Sequence, residues 1–241
     1  MKIIASMLLL ILSTPLYATD FVYRVDSRPP DVIFRDGFHS HGENRNIQQH
    51  IRGDSCATGS RDSAFIATTS DINETYNIAR QYYSSSTFTG TLYRYRIRAD
   101  RFFYPLAPSV EYLTSRGVTF SNFEQAMMRE QSEVVGVRLI EPENIVEAVR
   151  LNYNRMTSQV SDGDGVSNAN YVDIETEAST GVIPNIPVPQ VNVRDRIAAF
   201  GALISACLST RGVQQAERLS YDPVNFYDAR LVLKQTLVNT R

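Results

Sequence analysis

The amino-acid sequence predicts an α+β fold whose strands pair largely antiparallel. Short segments that alternate apolar and polar residues are interleaved with short helical patterns. They lack the regular strand–helix–strand spacing of a parallel sheet. The chain has 241 residues and a formal net charge of -2. This length is enough for one large domain, or for one domain with an appendage.

The N-terminus has the layout of a secretory signal peptide. Lys2 precedes an apolar run from Ile3 to Leu12, and a small residue, Ala18, follows where cleavage is expected. The run is too short to span a bilayer, and no later stretch reaches transmembrane length. We therefore expect a signal peptide over residues 1–18 and a released product without a stable membrane span.

The net charge limits the binding partners that we expect, and the cysteine content indicates the redox compartment. Loss of Lys2 with the signal peptide takes the net charge from -2 to -3, which argues against nucleic acid. The two cysteines, Cys56 and Cys207, most simply form one disulfide in an exported chain. By loop-closure entropy, such a bond contributes roughly 4 to 5 kcal/mol. Two unpaired thiols are the alternative.

Strands are predicted where aromatic and β-branched residues cluster between turn signals. These segments are Phe21–Val25, Ala64–Ser70, Thr89–Arg98, Val134–Ile140 and Ile145–Tyr153. We interpret the arginines of the third segment as a solvent-exposed face. The segment 161–165 is interpreted as a turn or linker because it is rich in glycine and aspartate.

Helices are predicted from capping signals and apolar spacing. Capping boxes at Asp71–Glu74 and Ser121–Glu124 begin two helices, which run to about Tyr83 and to Arg129. Shorter helical segments are predicted over 30–34, 46–51 and 109–113. The three prolines of the segment 183–189 exclude a helix or a central strand there.

One short stretch has the composition of a catalytic site. Glu133 opens an apolar strand, and Gln131 faces the same side because alternate side chains of a strand share a face. A carboxylate at this position is costly unless it is hydrogen-bonded or does chemistry. A solvent-facing glutamate at a strand edge is the alternative.

Three histidines, His39, His41 and His50, lie close together in the chain. The surrounding sequence offers no cysteine or carboxylate at a recognised ligand spacing, so we expect no metal site.

Three separated segments resemble the pertussis toxin catalytic subunit and its relatives. The segment 23–30 resembles their opening strand, the segment 65–70 their aromatic-apolar-Ser-Thr-Ser strand, and Gln131-Ser132-Glu133 their catalytic strand. His50, both cysteines and the turn at 142–145 fall in corresponding order. The likeness is close from Phe21 to Tyr153 and looser beyond. Within the family, the chain resembles the pertussis-like A subunits of typhoid toxin and of the ArtA type.

The resemblance implies an ADP-ribosyltransferase toxin fold around an NAD cleft. It implies an NAD-dependent protein mono-ADP-ribosyltransferase, with NAD as substrate and no metal. By the same resemblance, the acceptor is a cysteine near the C-terminus of a host inhibitory-class trimeric G-protein α subunit. The alternatives are an NAD glycohydrolase, an arginine-directed transferase and, from another class, a non-catalytic secreted binding module.

Residue roles follow from the same resemblance. Glu133 is expected to stabilise the positive charge that develops on the ribose, His50 to activate the acceptor, and Gln131 to select a thiol over a guanidinium. The residues expected to bind NAD are Arg24, Tyr23, Asp26, Thr68 and Thr69. The first serine of the family strand is Ala67 here, so Thr68 or Thr69 is expected to orient Glu133.

The resemblance also implies a domain division and a route. Residues 19–175 are expected to form the catalytic domain, and residues 176–241 to cover the cleft and to dock a pentameric B subunit. No spare cysteine is available to tether a second enzyme, which favours the ArtA arrangement. We expect export to the periplasm, release from the cell, action in the host cytosol, and activation when the Cys56–Cys207 disulfide is reduced. A disulfide that only stabilises the fold is the alternative.

Overall fold

The computed structural model of the protein describes residues 21–52, 62–85, 88–121, 124–125, 132–174 and 176–188. The strands within these ranges are β1 (Phe21–Asp26), β2 (Phe38–His39), β3 (Phe65–Thr69), β4 (Leu92–Arg98), β5 (Phe103–Pro105), β6 (Glu133–Val137), β7 (Leu139–Ile140), β8 (Ile145–Asn154) and β9 (Gln159–Ser167). The helices that lie entirely within these ranges are α1 (Pro30–Asp36), α2 (Ile47–Arg52), α3 (Ile72–Ser84) and α4 (Leu106–Ser115), with a 3₁₀ turn at Pro142–Asn144.

The described strands form a seven-stranded sheet in the order β5-β6-β3-β1-β4-β8-β9 and a small sheet of β2 and β7. The pairs in both sheets are antiparallel. The predicted α+β class with antiparallel pairing is therefore confirmed. β1 and β3 lie at the centre of the large sheet, which brings β6 beside the strand that carries the hydroxyl-rich motif.

The core consists of three buried clusters around the sheet. One gathers Val22 and Tyr95 with Phe38, and another joins α2 and α4 to the sheet through Ile47 and Leu106. The third lies under α3, where Ala79 and Tyr82 are among the buried residues. Burial of these apolar side chains, at roughly 25 cal/mol per Å², is the main force that holds the helices against the sheet.

Local sequence determines where several helices begin and end. α1 starts with proline and ends at Gly37, whose φ of 70° favours glycine and whose Cβ would lie 2.3 Å from the Ile140 carbonyl oxygen. The predicted capping box at Ser121 and Glu124 is confirmed, since each backbone N–H donates to the other side chain, at 2.5 and 3.2 Å.

The linker predicted over 161–165 is wrong, because these residues belong to β9 and pair with β8. β9 is the last strand of the sheet and is mostly exposed, so it needs no apolar face, and pairing outweighs the local preference for a turn. The exposed arginine face predicted for β4 is also wrong at Arg94. Its side chain is 7% exposed, and it donates two hydrogen bonds to Asp162 of β9.

The predicted strand over 134–140 is interrupted at Arg138, whose φ of 71° separates β6 from β7.

Beyond β9, the segment 176–188 packs against α4. Ile183 is buried, and its N–H donates to Ser109 Oγ of α4 at 3.0 Å. The division of the chain at residue 175 remains a prediction. Among the described residues, no helix combines the length and apolar character needed to cross a membrane.

Candidate active site

Glu133 begins β6 at the point where the chain enters the sheet. Its register partner on β3 is Thr69, and the preceding residue, Ser132, has a left-handed backbone with φ of 44°. The Ser132 carbonyl accepts hydrogen bonds from the Ser70 N–H and hydroxyl, at 3.1 and 3.2 Å. A non-glycine residue keeps such a conformation only where its surroundings hold it. These contacts fix the backbone just before Glu133 and thereby the direction in which its side chain points.

α2 brings His50 to Glu133. Asn46 lies at the start of the helix, and its Oδ1 accepts a hydrogen bond from the Gln49 N–H at 3.1 Å. His50 Nε2 lies 3.2 Å from Glu133 Oε1, and the ring packs edge-on against Phe65 with centroids 5.2 Å apart. The side chains of His50 and Glu133 are 7% and 12% exposed, so the pair is largely shielded from water.

The other ring nitrogen of His50 contacts a buried serine. Nδ1 lies 3.0 Å from Ser63 Oγ, and the same oxygen accepts a hydrogen bond from the Phe65 N–H at 3.2 Å. Ser63 was not among the predicted site residues, because thirteen residues separate it from His50. A serine just before an aromatic strand was the available signal.

Arg24 links β1 to β3 beside this pair. Its guanidinium donates to the Ala67 carbonyl at 2.7 Å and to Asp26 Oδ2 at 3.3 and 3.2 Å. Burial lowers the pKa of Arg24, and the negative charge of Asp26 opposes that shift. Arg28 donates to both carboxylate oxygens of Asp26, each at 2.9 Å. Asp26 is thus a fully buried carboxylate shared by two arginines, of which Arg28 was not among the predicted site residues.

A cleft opens beside the pair of His50 and Glu133, and the side chains of Arg24, His50 and Ser63 line it. Its lining within the described part of the chain consists of Arg24, His39, His41, His50, Ser63, Phe65, Ile66 and Ala67. The three histidines of the sequence therefore converge on one cleft. Within the described ranges, no group of three or more His, Cys, Asp or Glu side chains could hold a metal ion.

The structure also locates the remaining predicted NAD-binding residues. The Thr68 hydroxyl donates to the Val134 carbonyl, and Thr69 Oγ1 accepts from the Asp71 N–H at 3.0 Å. Tyr23 pairs with Thr69 across β1 and β3 and is half-buried. Orientation of Glu133 by Thr68 or Thr69 remains a prediction, and His50 contacts the carboxylate.

Three predicted residues, Gln131, Cys56 and Cys207, lie outside the described residues. The acceptor-selecting role of Gln131 and the disulfide therefore remain predictions.

Comparison with known proteins places this arrangement in a family. Residues 18–221 match the family described as Pertussis toxin, subunit 1. Pertussis toxin subunit 1 of Bordetella pertussis is 32% identical over 230 residues, which cover 86% of this chain and 81% of that protein. The chain belongs to the pertussis toxin subunit 1 family. The predicted resemblance to pertussis-toxin-like A subunits is confirmed.

Solved structures agree with membership of the pertussis toxin subunit 1 family. A structure titled EcPltA is 69% identical, with a TM-score of 0.69, and the match covers 71% of this chain and 98% of that one. The nicked CARDS toxin is 23% identical, with a TM-score of 0.51 over 71% of this chain and 35% of that one, and it shares the fold. The predicted ADP-ribosyltransferase toxin fold and enzyme class, an NAD-dependent mono-ADP-ribosyltransferase, are confirmed.

Proposed function

We propose that this chain is the A subunit of a secreted AB toxin that modifies a host inhibitory-class trimeric G-protein α subunit. ADP-ribose is transferred from NAD to a cysteine near the C-terminus of that subunit. The observation that carries the proposal is the shielded pair of Glu133 and His50 beside an arginine-braced cleft. Membership of the pertussis toxin subunit 1 family supports it.

Glu133 stabilises the transition state in this proposal. The bond between ribose and nicotinamide breaks with its electron pair leaving on nicotinamide, and positive charge develops on the ribose. A carboxylate fixed nearby stabilises that charge, and shielding from water makes the interaction stronger. A hydrogen bond from His50 keeps the carboxylate in place without neutralising it.

Arg24 lines the cleft and shares the buried Asp26 with Arg28, so this group of three side chains has a net positive charge. Guanidinium groups suit the pyrophosphate and ribose oxygens of NAD. Because Arg24 already donates to Asp26 and Ala67, its main contribution is to brace β1 against β3 while one edge faces the cleft.

Gln131 selects the acceptor in this proposal, since an amide lacks the charge that would attract an arginine. The thiol sulfur of the acceptor forms the new bond to ribose, and the thiol proton is released. We further propose that residues 176–241 cover the cleft and dock a pentameric B subunit. Reduction of a Cys56–Cys207 disulfide in the host cytosol would then open the cleft.

The test is mass spectrometry of a purified inhibitory-class α subunit after incubation with NAD and the mature chain, with and without dithiothreitol. We expect ADP-ribose on a C-terminal cysteine, more of it after reduction, and none with Glu133→Gln. ADP-ribose on arginine would overturn the role of Gln131. Release of nicotinamide without any modified protein would identify an NAD glycohydrolase. Equal rates with and without reductant would leave the disulfide as a stabilising bond only.

A further inference from the structure

We propose that Ser63 is a positioning residue that holds His50 in the Nε2–H tautomer. In the resting enzyme, His50 then donates to Glu133 and is not poised as a base. The inference rests on the proposed role of Glu133, and it follows from counting donors and acceptors around the imidazole ring.

The carboxylate side of the ring requires a donor. Glu133 Oε1 lies 3.2 Å from His50 Nε2, and an ionised carboxyl group only accepts hydrogen bonds. The carboxylate therefore favours the tautomer in which Nε2 carries the proton. A neutral imidazole has one N–H, so Nδ1 keeps its lone pair and needs a donor in turn.

Ser63 can be that donor. Its Oγ already accepts from the Phe65 N–H at 3.2 Å, which leaves the hydroxyl proton to point at His50 Nδ1, 3.0 Å away. In the opposite tautomer, Oγ would accept from two N–H groups, and its own proton would lose His50 Nδ1 as an acceptor. That is costly for a serine that is 4% exposed.

The chain around Ser63 is held firmly. Its carbonyl accepts a hydrogen bond from the Gly42 N–H at 3.0 Å, and the Ala64 N–H donates to the Asn44 carbonyl at 2.8 Å. A Cβ at Gly42 would lie 2.5 Å from the Asp62 carbonyl oxygen, so this approach requires glycine. The serine hydroxyl is therefore a fixed reference for the orientation of the ring.

This arrangement has a consequence for the predicted role of His50. With Nε2 protonated and the Nδ1 lone pair engaged by Ser63, the neutral ring has no free lone pair for a thiol proton. His50 thus acts on Glu133 by holding its carboxylate. Deprotonation of the acceptor then requires a different tautomer or another proton acceptor.

Long-range ¹H–¹⁵N NMR of the mature chain labelled with ¹⁵N-histidine tests the tautomer directly. The sequence contains three histidines, so comparison with His50→Gln assigns the signals. At about pH 8, where an ordinary imidazole is neutral, we expect a protonated Nε2 and an unprotonated Nδ1. A protonated Nδ1, with or without a protonated Nε2, would overturn the proposal whatever the enzymatic rate.

Activity supplies the second measurement. Ser63→Ala should mix the two tautomers and lower nicotinamide release about tenfold, as expected for an outer partner of a functional histidine. Ser63→Thr keeps the hydroxyl and should restore the single tautomer and most of the rate. Ser40→Ala is the control, because the Ser40 hydroxyl donates to the Gly42 carbonyl in the same loop.

An unchanged His50 spectrum in Ser63→Ala would contradict the role of Ser63. Absence of nicotinamide release from the wild-type chain would instead overturn the proposed function.

Discussion

Two arginine–aspartate groups lie at different places on the same sheet, and they differ in how far the aspartate is exposed to solvent. Next to the cleft, Asp26 is fully buried and shared by Arg24 and Arg28. At the outer edge, Asp162 is 42% exposed and meets Arg94 from one side. Water can hydrogen-bond to Asp162 if its arginine is lost. The Asp26 carboxylate has no contact with solvent, so water cannot take the place of its arginines. The cleft group therefore determines stability and site geometry, and the outer group mainly fastens a hairpin.

Asp26→Asn should break the cleft group and give the largest effect. Two arginines would lose the charge that compensates them in a site where Arg24 is 6% exposed. We expect the free energy of unfolding to fall by about 3 to 5 kcal/mol, measured by chemical denaturation. Asp36→Asn is the matched control, because its ion pair with Arg35 is exposed and its loss should not be measurable. Equal unfolding midpoints for both variants would remove the distinction between the two groups.

Glu133→Gln should separate catalysis from stability within the cleft. The amide oxygen can still accept the hydrogen bond from His50, but the charge that stabilises the transition state is gone. We expect nicotinamide release to fall by about 10² to 10³, with an unfolding curve close to that of the wild type. Glu147→Gln, on the exposed part of β8, should keep the wild-type rate. A rate for Glu133→Gln within a factor of about three of the wild type would contradict the role of the carboxylate.

Asp162→Asn should give the smallest effect and sharpen the comparison from the other side. Asp162 accepts hydrogen bonds from Arg94 and from the Tyr76 hydroxyl, at 2.8 and 2.9 Å to the same oxygen. Because the carboxylate is partly exposed, we expect a loss of about 1 kcal/mol in the free energy of unfolding, and less at high salt. Nicotinamide release should be unchanged. A loss as large as that of Asp26→Asn would mean that the outer group is not screened by solvent.

The sequence was most informative where the physical cause is local. The capping box at Ser121 and Glu124 and the glycine stop after α1 depend on residues a few positions apart, and both are observed. The segment 161–165 misled the prediction because its glycines and aspartates favour a turn. Its pairing partner, β8, overrides that local preference.

The site was predictable only through family resemblance. His50 and Glu133 are 83 residues apart, and no spacing rule brings them together. Ser63 and Arg28 were not among the predicted site residues, because the contact of Ser63 with His50 and the burial of Asp26 between two arginines arise only when distant parts of the chain pack together. The burial of Arg94 was missed for the same reason.

By itself, the sequence determined the α+β class, most helix and strand positions and, through its motifs, the family. These depend on backbone preferences and on the order of residues along one chain. Only the tertiary structure decided which charges are shielded, which nitrogen of His50 faces Glu133, and which two arginines share Asp26. Burial and hydrogen-bond partners depend on residues that lie far apart in the chain. The energies of these interactions therefore arise only when the sheet has folded and has excluded water from them.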